Sequence, residues 1–148
     1  MQIKIVKLKG GERYPFLMNE EGVPDFWVTH FVTQKLRMNL ALTSIPQYLQ
    51  NIRHLKKWEI INGRDLLAEI YEGKVPTRDD IKSICDHCYY QAKALELPKK
   101  SSSKNRVIDM SKFTLLKDVD LPTIGGDQYI TRLAHISEFL YFIGKERV

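Results

Sequence analysis

The residues with the most distinctive chemistry are two cysteines in a C-x-x-C motif, Cys85 and Cys88. Such a pair can bind a metal ion or form a redox couple. A zinc site needs two further ligands, and the histidines outside the motif, His30, His54 and His135, have no paired spacing. Both cysteines also fall on the apolar side of a predicted helix, where free cysteines commonly pack. We therefore expect core packing, no metal and no cofactor, with metal binding and redox chemistry as the alternatives.

No recognisable catalytic motif occurs in the chain. The sequence has no G-x-S-x-G, no phosphate-binding loop of the Walker type, no H-E-x-x-H and no paired-glycine dinucleotide turn. The acid pair Asp79-Asp80 falls in the first turn of a predicted helix, where the helix dipole accounts for it. We expect no catalysis by this chain.

The best candidate for a binding surface is the polar face of a helix that is predicted to begin at Ser44. Ser44 and Gln47 match an S-x-x-Q capping box, with Pro46 in the first turn. The apolar stripe of this helix consists of Ile45, Tyr48, Leu49, Ile52 and Leu55. The opposite face contains no acid and carries Gln47, Gln50, Arg53, His54 and Lys57.

This acid-free face suits a polyanion. Arg and Lys bind phosphates, Gln can contact base edges, and a helix N-terminus can receive a phosphate. The alternative is an ordinary solvated helix surface.

Composition agrees with a folded domain that has a basic surface. The chain has 148 residues, is 43% hydrophobic and carries a net charge of +5 with a pI of about 9.2. A basic balance of this size favours nucleic acid or anionic lipid only weakly. Residues 1–7 do not form a signal peptide, and the longest uncharged stretch, 38–52, is too short and polar to span a bilayer. We expect a cytoplasmic protein with no membrane partner.

Periodicity divides the chain into a β-hairpin over residues 1–24 and a helical domain over 25–148. The hairpin should dock on the helices, because a lone hairpin is marginally stable. Predicted helix starts are Asp25, Ser44, Asp65, Thr77 and a position near Asp127. The first helix should end near 37–39, and Gly63 should end the second.

The two later helices are predicted from their apolar stripes. The Thr77 helix has a stripe of Ile81, Ile84, Cys85, Cys88, Ala92 and Leu95. The last helix should pack through Ile130, Leu133, Ile136, Leu140 and Ile143, with Phe139 and Phe142 widening its apolar face. Between them, residues 98–106 have the composition of a basic flexible linker. Residues 98–112 hold five basic side chains against one acid, which is most of the net charge.

The order of these segments resembles the N-terminal part of the tyrosine recombinases, the phage integrase family. Residues 43–58 resemble the core-binding pattern of that family: a hydroxyl cap, an apolar residue, then aromatic-Leu, Leu and Trp at helical spacing. Residues 129–140 are similar to the closing helix of the core-binding domain, with Arg-Leu followed by an aromatic-Leu pair. Residues 11–15 and 31–37 look like a bacterial subgroup of these integrases.

The resemblance implies a fold for this chain but no catalytic residues. The expected fold is a SAM-like orthogonal bundle of four to five helices with an N-terminal β-hairpin. Catalysis in the family uses two Arg, a Lys, an H-x-x-R pair, a second His or Trp, and a Tyr nucleophile in a C-terminal domain. This sequence has no H-x-x-R, and it stops at Val148, about where that domain would begin. We therefore expect the catalytic domain to be absent, and no catalytic residue is carried over.

The implied function is DNA binding by the N-terminal domain of a site-specific recombinase, encoded by a bacterium or phage and associated with the nucleoid. Its partners would be double-stranded DNA at a recombination half-site, the missing catalytic domain, and further copies in a homo-oligomer of the full-length protein on DNA. The candidate DNA contacts are Ser44, Gln47, Gln50, Arg53, His54 and Lys57, followed by the weaker candidates Arg37, Arg132, Lys99, Lys100, Lys104 and Arg106.

Two other interpretations are open. One is a stand-alone helical DNA-binding regulator. The other is a protein-interaction module without nucleic acid, which docks through its aromatic-rich last helix. Arg132 could equally serve as an intramolecular ion-pair partner.

Overall fold

The computed structural model describes residues 1–90 and 123–146, which form a helical bundle with an N-terminal hairpin. Two antiparallel strands, β1 (Gln2–Lys7) and β2 (Arg13–Met18), form the hairpin. The described residues contain five helices: α1 (26–39), α2 (Ile45–Asn62), α3 (Leu66–Tyr71), α4 (Arg78–Cys88) and α5 (Gly126–Glu146). The predicted mainly helical class with an N-terminal hairpin is confirmed.

The hairpin packs on the helices mainly through β2. Ile3 lies opposite Leu17, and Gly11 takes a left-handed φ of +84° in the turn. Tyr14 and Leu17 of β2 are buried in the same core as the helices, whereas β1 is mostly exposed. The backbone N–H of Asp25 donates to the carbonyl of Leu17 at 2.8 Å, which ties the hairpin to the start of α1. The predicted docking of the hairpin is confirmed.

Helix α1 has an irregular middle that the sequence did not indicate. It is α-helical over Phe26–Phe31, π-helical over Val32–Leu36 and α-helical again over Arg37–Asn39. A π-helical turn shifts the register of the side chains that follow it. Its predicted end near residues 37–39 is confirmed.

Hydrogen bonds confirm four predicted helix boundaries. The Asp25 carboxylate accepts the N–H three residues ahead at 3.0 Å, and Asp65 does the same at 3.2 Å. Gly63 ends α2 in the left-handed conformation with φ +62°. Thr77 and Asp80 form a reciprocal capping box at the start of α4, with bonds of 3.0 and 3.2 Å. These bonds satisfy backbone groups that a helix end leaves free.

The capping box predicted at Ser44 is wrong. The Ser44 side chain makes no cap hydrogen bond, and its backbone is already helical, with φ −87° and ψ −23°. An N-cap residue needs an extended backbone for its hydroxyl to reach the first free N–H groups. The Ser44 N–H instead donates to the carbonyl of Ala41 at 2.9 Å, in a turn that leads into α2.

The core lies between α2 and the helices around it. The predicted stripe of α2 is buried except for Tyr48, which is partly exposed. The Phe31 ring contacts the rings of Phe139 and Phe142, each at a centroid distance of 5.2 Å. Because Phe139 and Phe142 are buried, they are part of the core and offer no docking surface.

The stripes predicted for α4 and α5 are confirmed in part. Ile84 and Cys88 of α4 are buried, but Ile81 is 53% exposed. In α5 the outlier is Ile130, which is 65% exposed at the first turns of the helix. The remaining α5 stripe residues, Leu133, Ile136, Leu140 and Ile143, are buried or partly buried. Ala92, Leu95 and the predicted linker at 98–106 lie outside the described residues.

In the part of the chain that the structure describes, no helix has both the length and the apolar character needed to cross a bilayer.

Replacing Phe139 with alanine should lower the free energy of unfolding by about 3–5 kcal/mol, because its ring is fully buried against Phe31. The matched control is Phe26→Ala, whose ring is 69% exposed and whose loss should cost less than about 1 kcal/mol. Urea unfolding of both variants measures the difference. Equal losses in the two variants would contradict this position of the core.

Candidate nucleic-acid interface

The structure divides the predicted polar face of α2 into an exposed part and an internal part. Gln47 and Gln50 are exposed, and Arg53 and Lys57 are partly exposed farther along the helix. Ser44 is also exposed, just before the helix. These five positions carry no acid, so this much of the predicted face is present on the surface.

The prediction that His54 lies on the exposed face is wrong, because its ring is 2% exposed. Its Nε2 lies 2.9 Å from the carbonyl oxygen of His87, and the Nε2 of His87 lies 2.8 Å from the carbonyl oxygen of His54. A carbonyl oxygen only accepts, so both rings carry their proton on Nε2 and donate it. The two histidines thus join α2 to the C-terminal end of α4 by a reciprocal pair of hydrogen bonds.

Burial keeps both histidines neutral. It lowers the pKa of His54 to about 3, and the nearby charges of Arg132 and Lys57 act in the same direction. Burial likewise lowers the pKa of His87. The Nδ1 of His54 is buried without a hydrogen-bond partner, so protonation there would place an uncompensated charge inside the bundle.

Arg132 also acts inside the molecule. Its Nη1 donates to the carbonyl oxygens of Cys88 and Tyr90 at 2.8 and 2.9 Å, where α4 ends. A guanidinium suits this position because it satisfies free carbonyls at the negative end of the helix dipole. The structure therefore gives Arg132 an intramolecular role, with carbonyls rather than a carboxylate as partners, and this position offers little to DNA.

Arg37 is held by the hairpin. Its guanidinium forms an ion pair with Glu12 and lies over the Tyr14 ring, 4.7 Å from the ring centroid. A cation that already has a carboxylate partner gains less from a phosphate, so Arg37 is a poorer candidate than its position in the sequence indicated.

The three basic residues of α2 line a small recess. It has a volume of about 40 Å³ and is lined by Met1, Arg53, Lys56, Lys57 and Ile60, with no acid among the described residues that line it. The Nε of Arg53 is buried without a hydrogen-bond partner. Lys56 was not among the predicted contacts, and it lies four residues after Ile52, on the side of the apolar stripe.

Lys56 lines the recess and also lies close to two carboxylates. Its Nζ lies 3.2 Å from Asp25 and 3.8 Å from Glu59. Burial raises the pKa of Glu59 to about 7, although Lys56 opposes that shift, and one Glu59 oxygen is buried without a partner. Lys56 is therefore compensated by two carboxylates within the bundle.

A second polar cluster holds the N-terminal half of α2 against α5. The Tyr48 hydroxyl donates to Glu138 at 2.9 Å, and its ring stacks on His135 at a centroid distance of 3.6 Å. Asn51 Nδ2 lies 2.8 Å from His135 Nδ1, and Lys35 pairs with Glu138 at 3.2 Å. This network fixes the helix turns from which Gln47 and Gln50 project.

Most of the net positive charge lies outside the described residues. Residues 1–90 and 123–146 contain 15 basic and 14 acidic side chains, whereas the whole chain contains 23 and 18. The predicted contacts in that remaining part are Lys99, Lys100, Lys104 and Arg106. The described residues are thus nearly neutral overall.

The cysteine pair is placed as its packing interpretation expects. Cys88 is fully buried and Cys85 is partly exposed, and both are free thiols. Burial raises the pKa of Cys88 to about 12, which suppresses the reactive thiolate. Among residues 1–90 and 123–146, no group of three or more metal-ligating side chains has the geometry of a metal site.

Comparisons with protein-family models, curated proteins and solved structures found no match to this chain. The resemblance to tyrosine recombinases therefore depends on the residues quoted above.

The pKa shifts of His54 and Glu59 have opposite effects on the pH dependence of the free energy of unfolding. Between pH 3 and pH 6.5 the unfolded chain binds a proton at His54 that the folded chain does not, so His54 makes stability fall as pH decreases. Glu59 acts oppositely between pH 4.5 and pH 7, because the folded chain holds the proton more tightly. Each group contributes at most about 1.4 kcal/mol per pH unit.

Urea unfolding between pH 4.5 and pH 6.5 separates the two groups. We expect His54→Gln to make the free energy of unfolding rise less steeply with pH than in the parent chain. Glu59→Gln should make it rise more steeply. A His54→Gln variant with the parental pH dependence would contradict a neutral buried His54.

Proposed function

We propose that this chain is a DNA-binding domain of the kind found at the N-terminus of tyrosine recombinases, and that α2 is its DNA-contacting helix. The observation that carries this proposal is the recess beside Met1, in which Arg53 and Lys57 meet without an acid among the described lining residues. A small cationic recess next to exposed amide side chains suits a phosphate beside a groove.

The geometry of α2 supports contacts of two kinds. Gln47, Gln50, Arg53 and Lys57 follow one another along about 15 Å of helix, at a rise of about 1.5 Å per residue. This length is comparable with the width of the major groove, about 12 Å. The cations at one end would bind backbone phosphates, and the glutamines nearer the N-terminus would face base edges.

The same proposal gives the domain its setting. It would clamp double-stranded DNA at a recombination half-site in the cytoplasm of a bacterium, together with a separate catalytic domain and further copies of the recombinase. In this arrangement the domain would provide affinity for DNA and would position it, and the separate catalytic domain would break the DNA bonds. Four other described cations would contribute less, because each already pairs with a carboxylate: Lys35, Arg37, Lys56 and Arg64.

Removing the two cations should weaken DNA binding and its dependence on salt. For Arg53→Ala with Lys57→Ala, the slope of log affinity against log salt concentration should fall in magnitude by about 2 on a duplex of about 30 base pairs. Fluorescence anisotropy between about 50 and 200 mM salt measures the slope.

The matched control removes one Arg and one Lys from exposed positions of α4, in Arg78→Ala with Lys82→Ala. Circular dichroism verifies the fold of both variants. Equal slopes for the parent and the α2 variant, or an equal loss in the α4 variant, would exclude α2 as the specific phosphate-binding helix.

Removing the two glutamines should affect sequence preference instead. Gln47→Ala with Gln50→Ala should reduce the affinity ratio between a selected and a random duplex by at least about 30-fold, because two base contacts of about 1–3 kcal/mol each are lost. The salt slope should stay unchanged, since neither side chain is charged. Selection of bound duplexes from a random pool, followed by competition binding, provides both values. An unchanged affinity ratio would mean that these glutamines do not read bases.

A further inference from the structure

We propose that the outer face of α5 is a self-association surface, which pairs two copies of this chain through antiparallel α5 helices. Ile130 and Tyr141 lie on this face and are 65% and 67% exposed. Ala134 and Ser137 lie between them on the same side and are also exposed. The spacing of the four residues, at three and four along the helix, forms one stripe.

This face has few charged side chains. A solvated helix face typically carries charged side chains. Between Asp127 and Lys145, the only charged side chains of α5 are Arg132 and Glu138. Arg132 donates to the end of α4, and Glu138 binds Tyr48 and Lys35, so both are held by the bundle. Several turns of exposed helix are therefore uncharged.

The stripe is complementary to itself when two copies run in opposite directions. In one antiparallel register, Asp127 of one copy faces Lys145 of the other, and Ile130 faces Tyr141. Ala134 then faces Ser137 at the centre, where small side chains allow the helices to approach closely. The midpoints of the three pairings lie within half a residue of one another, at or just before Ile136, so a single twofold axis satisfies them together.

Charge complementarity selects this arrangement over a parallel one. A parallel pair would place Asp127 beside Asp127 and Lys145 beside Lys145, which repels at both ends. The second copy is therefore the occupant that the charge pattern fits.

The dimer should be weak. Helix α5 has 21 residues, a length of about 31 Å at about 1.5 Å per residue. One pair of such helices buries less than the roughly 1,200 Å² of a standard interface. We expect a dissociation constant in the micromolar range or above.

Sedimentation equilibrium of the full chain without DNA tests the proposal from about 5 µM to about 1 mM. We expect the mean mass to rise from monomer to dimer over this range. Ala134→Arg should weaken association at least about 100-fold, because the twofold axis brings two desolvated charges into the contact. Ser137→Arg serves as a second variant of the same kind, and Ile81→Arg, on an exposed position of α4, should leave association unchanged.

A charge exchange tests the antiparallel register. Asp127→Lys alone and Lys145→Asp alone should each weaken association about three- to tenfold, and the double variant should return to within about twofold of the parent. A monomer at every concentration overturns the proposal, as does a dimer that tolerates both arginine variants. Weakened single variants without recovery in the double variant overturn the antiparallel register.

The outcome is independent of DNA binding. The α5 variants leave the α2 cations in place, and the sedimentation experiment contains no DNA. A monomeric chain that binds duplex DNA would overturn only the dimer, and a dimer without DNA affinity would overturn only the proposed function.

Discussion

The reciprocal hydrogen bonds between His54 and His87 determine which side of α2 reaches the surface. Each ring donates to the other residue's carbonyl, at 2.9 and 2.8 Å, and both rings are at least nine-tenths buried. A buried donor that loses its partner costs about 1–3 kcal/mol, so this pair opposes rotation of α2 about its axis. Arg132 strengthens the same junction by closing the end of α4. With α2 held in this orientation, Gln47 and Gln50 point outward, and Arg53 and Lys57 border the recess.

Because this orientation of α2 buries His54, the candidate interface is smaller than the polar face predicted from the sequence. Several cations of the described residues are engaged with carboxylates or carbonyls inside the molecule, as Arg37 and Arg132 illustrate. The stacked rings of Tyr48 and His135 hold the N-terminal half of α2 against α5. The same two helices therefore carry both proposed surfaces. The α2 surface depends on cations and amides, whereas the proposed α5 surface is an uncharged stripe with one charge at each end.

Local signals in the sequence predicted the elements well. Asp25, Gly63 and Thr77 set helix ends through bonds within a few residues of themselves, and such short-range rules can be read from the sequence. The stripe of α2 was predicted for the same reason, because its period of three and four follows from helix geometry. Ser44 shows the limit: its residue type fits a cap, but the turn before it had already adopted a helical backbone.

The interface was predicted less well, because long-range partners decide it. His54 looks like a surface residue by helix angle, and only its contact with a residue 33 positions away turns it into a core residue. Arg132 likewise depends on carbonyls more than 40 positions away. The π-helical turn of α1 has no sequence signature that we identified. A buried neutral histidine and a surface histidine share the same local pattern.

The most direct test of the account is a titration of ¹⁵N-labelled protein with duplex DNA, observed by NMR through side-chain N–H groups. We predict that the amide signals of Gln47 and Gln50 and the Nε–H signal of Arg53 move most, while the ring signals of His54 stay in place. Shifts that centre on Arg78 and Lys82 of α4, with α2 unaffected, would contradict the account.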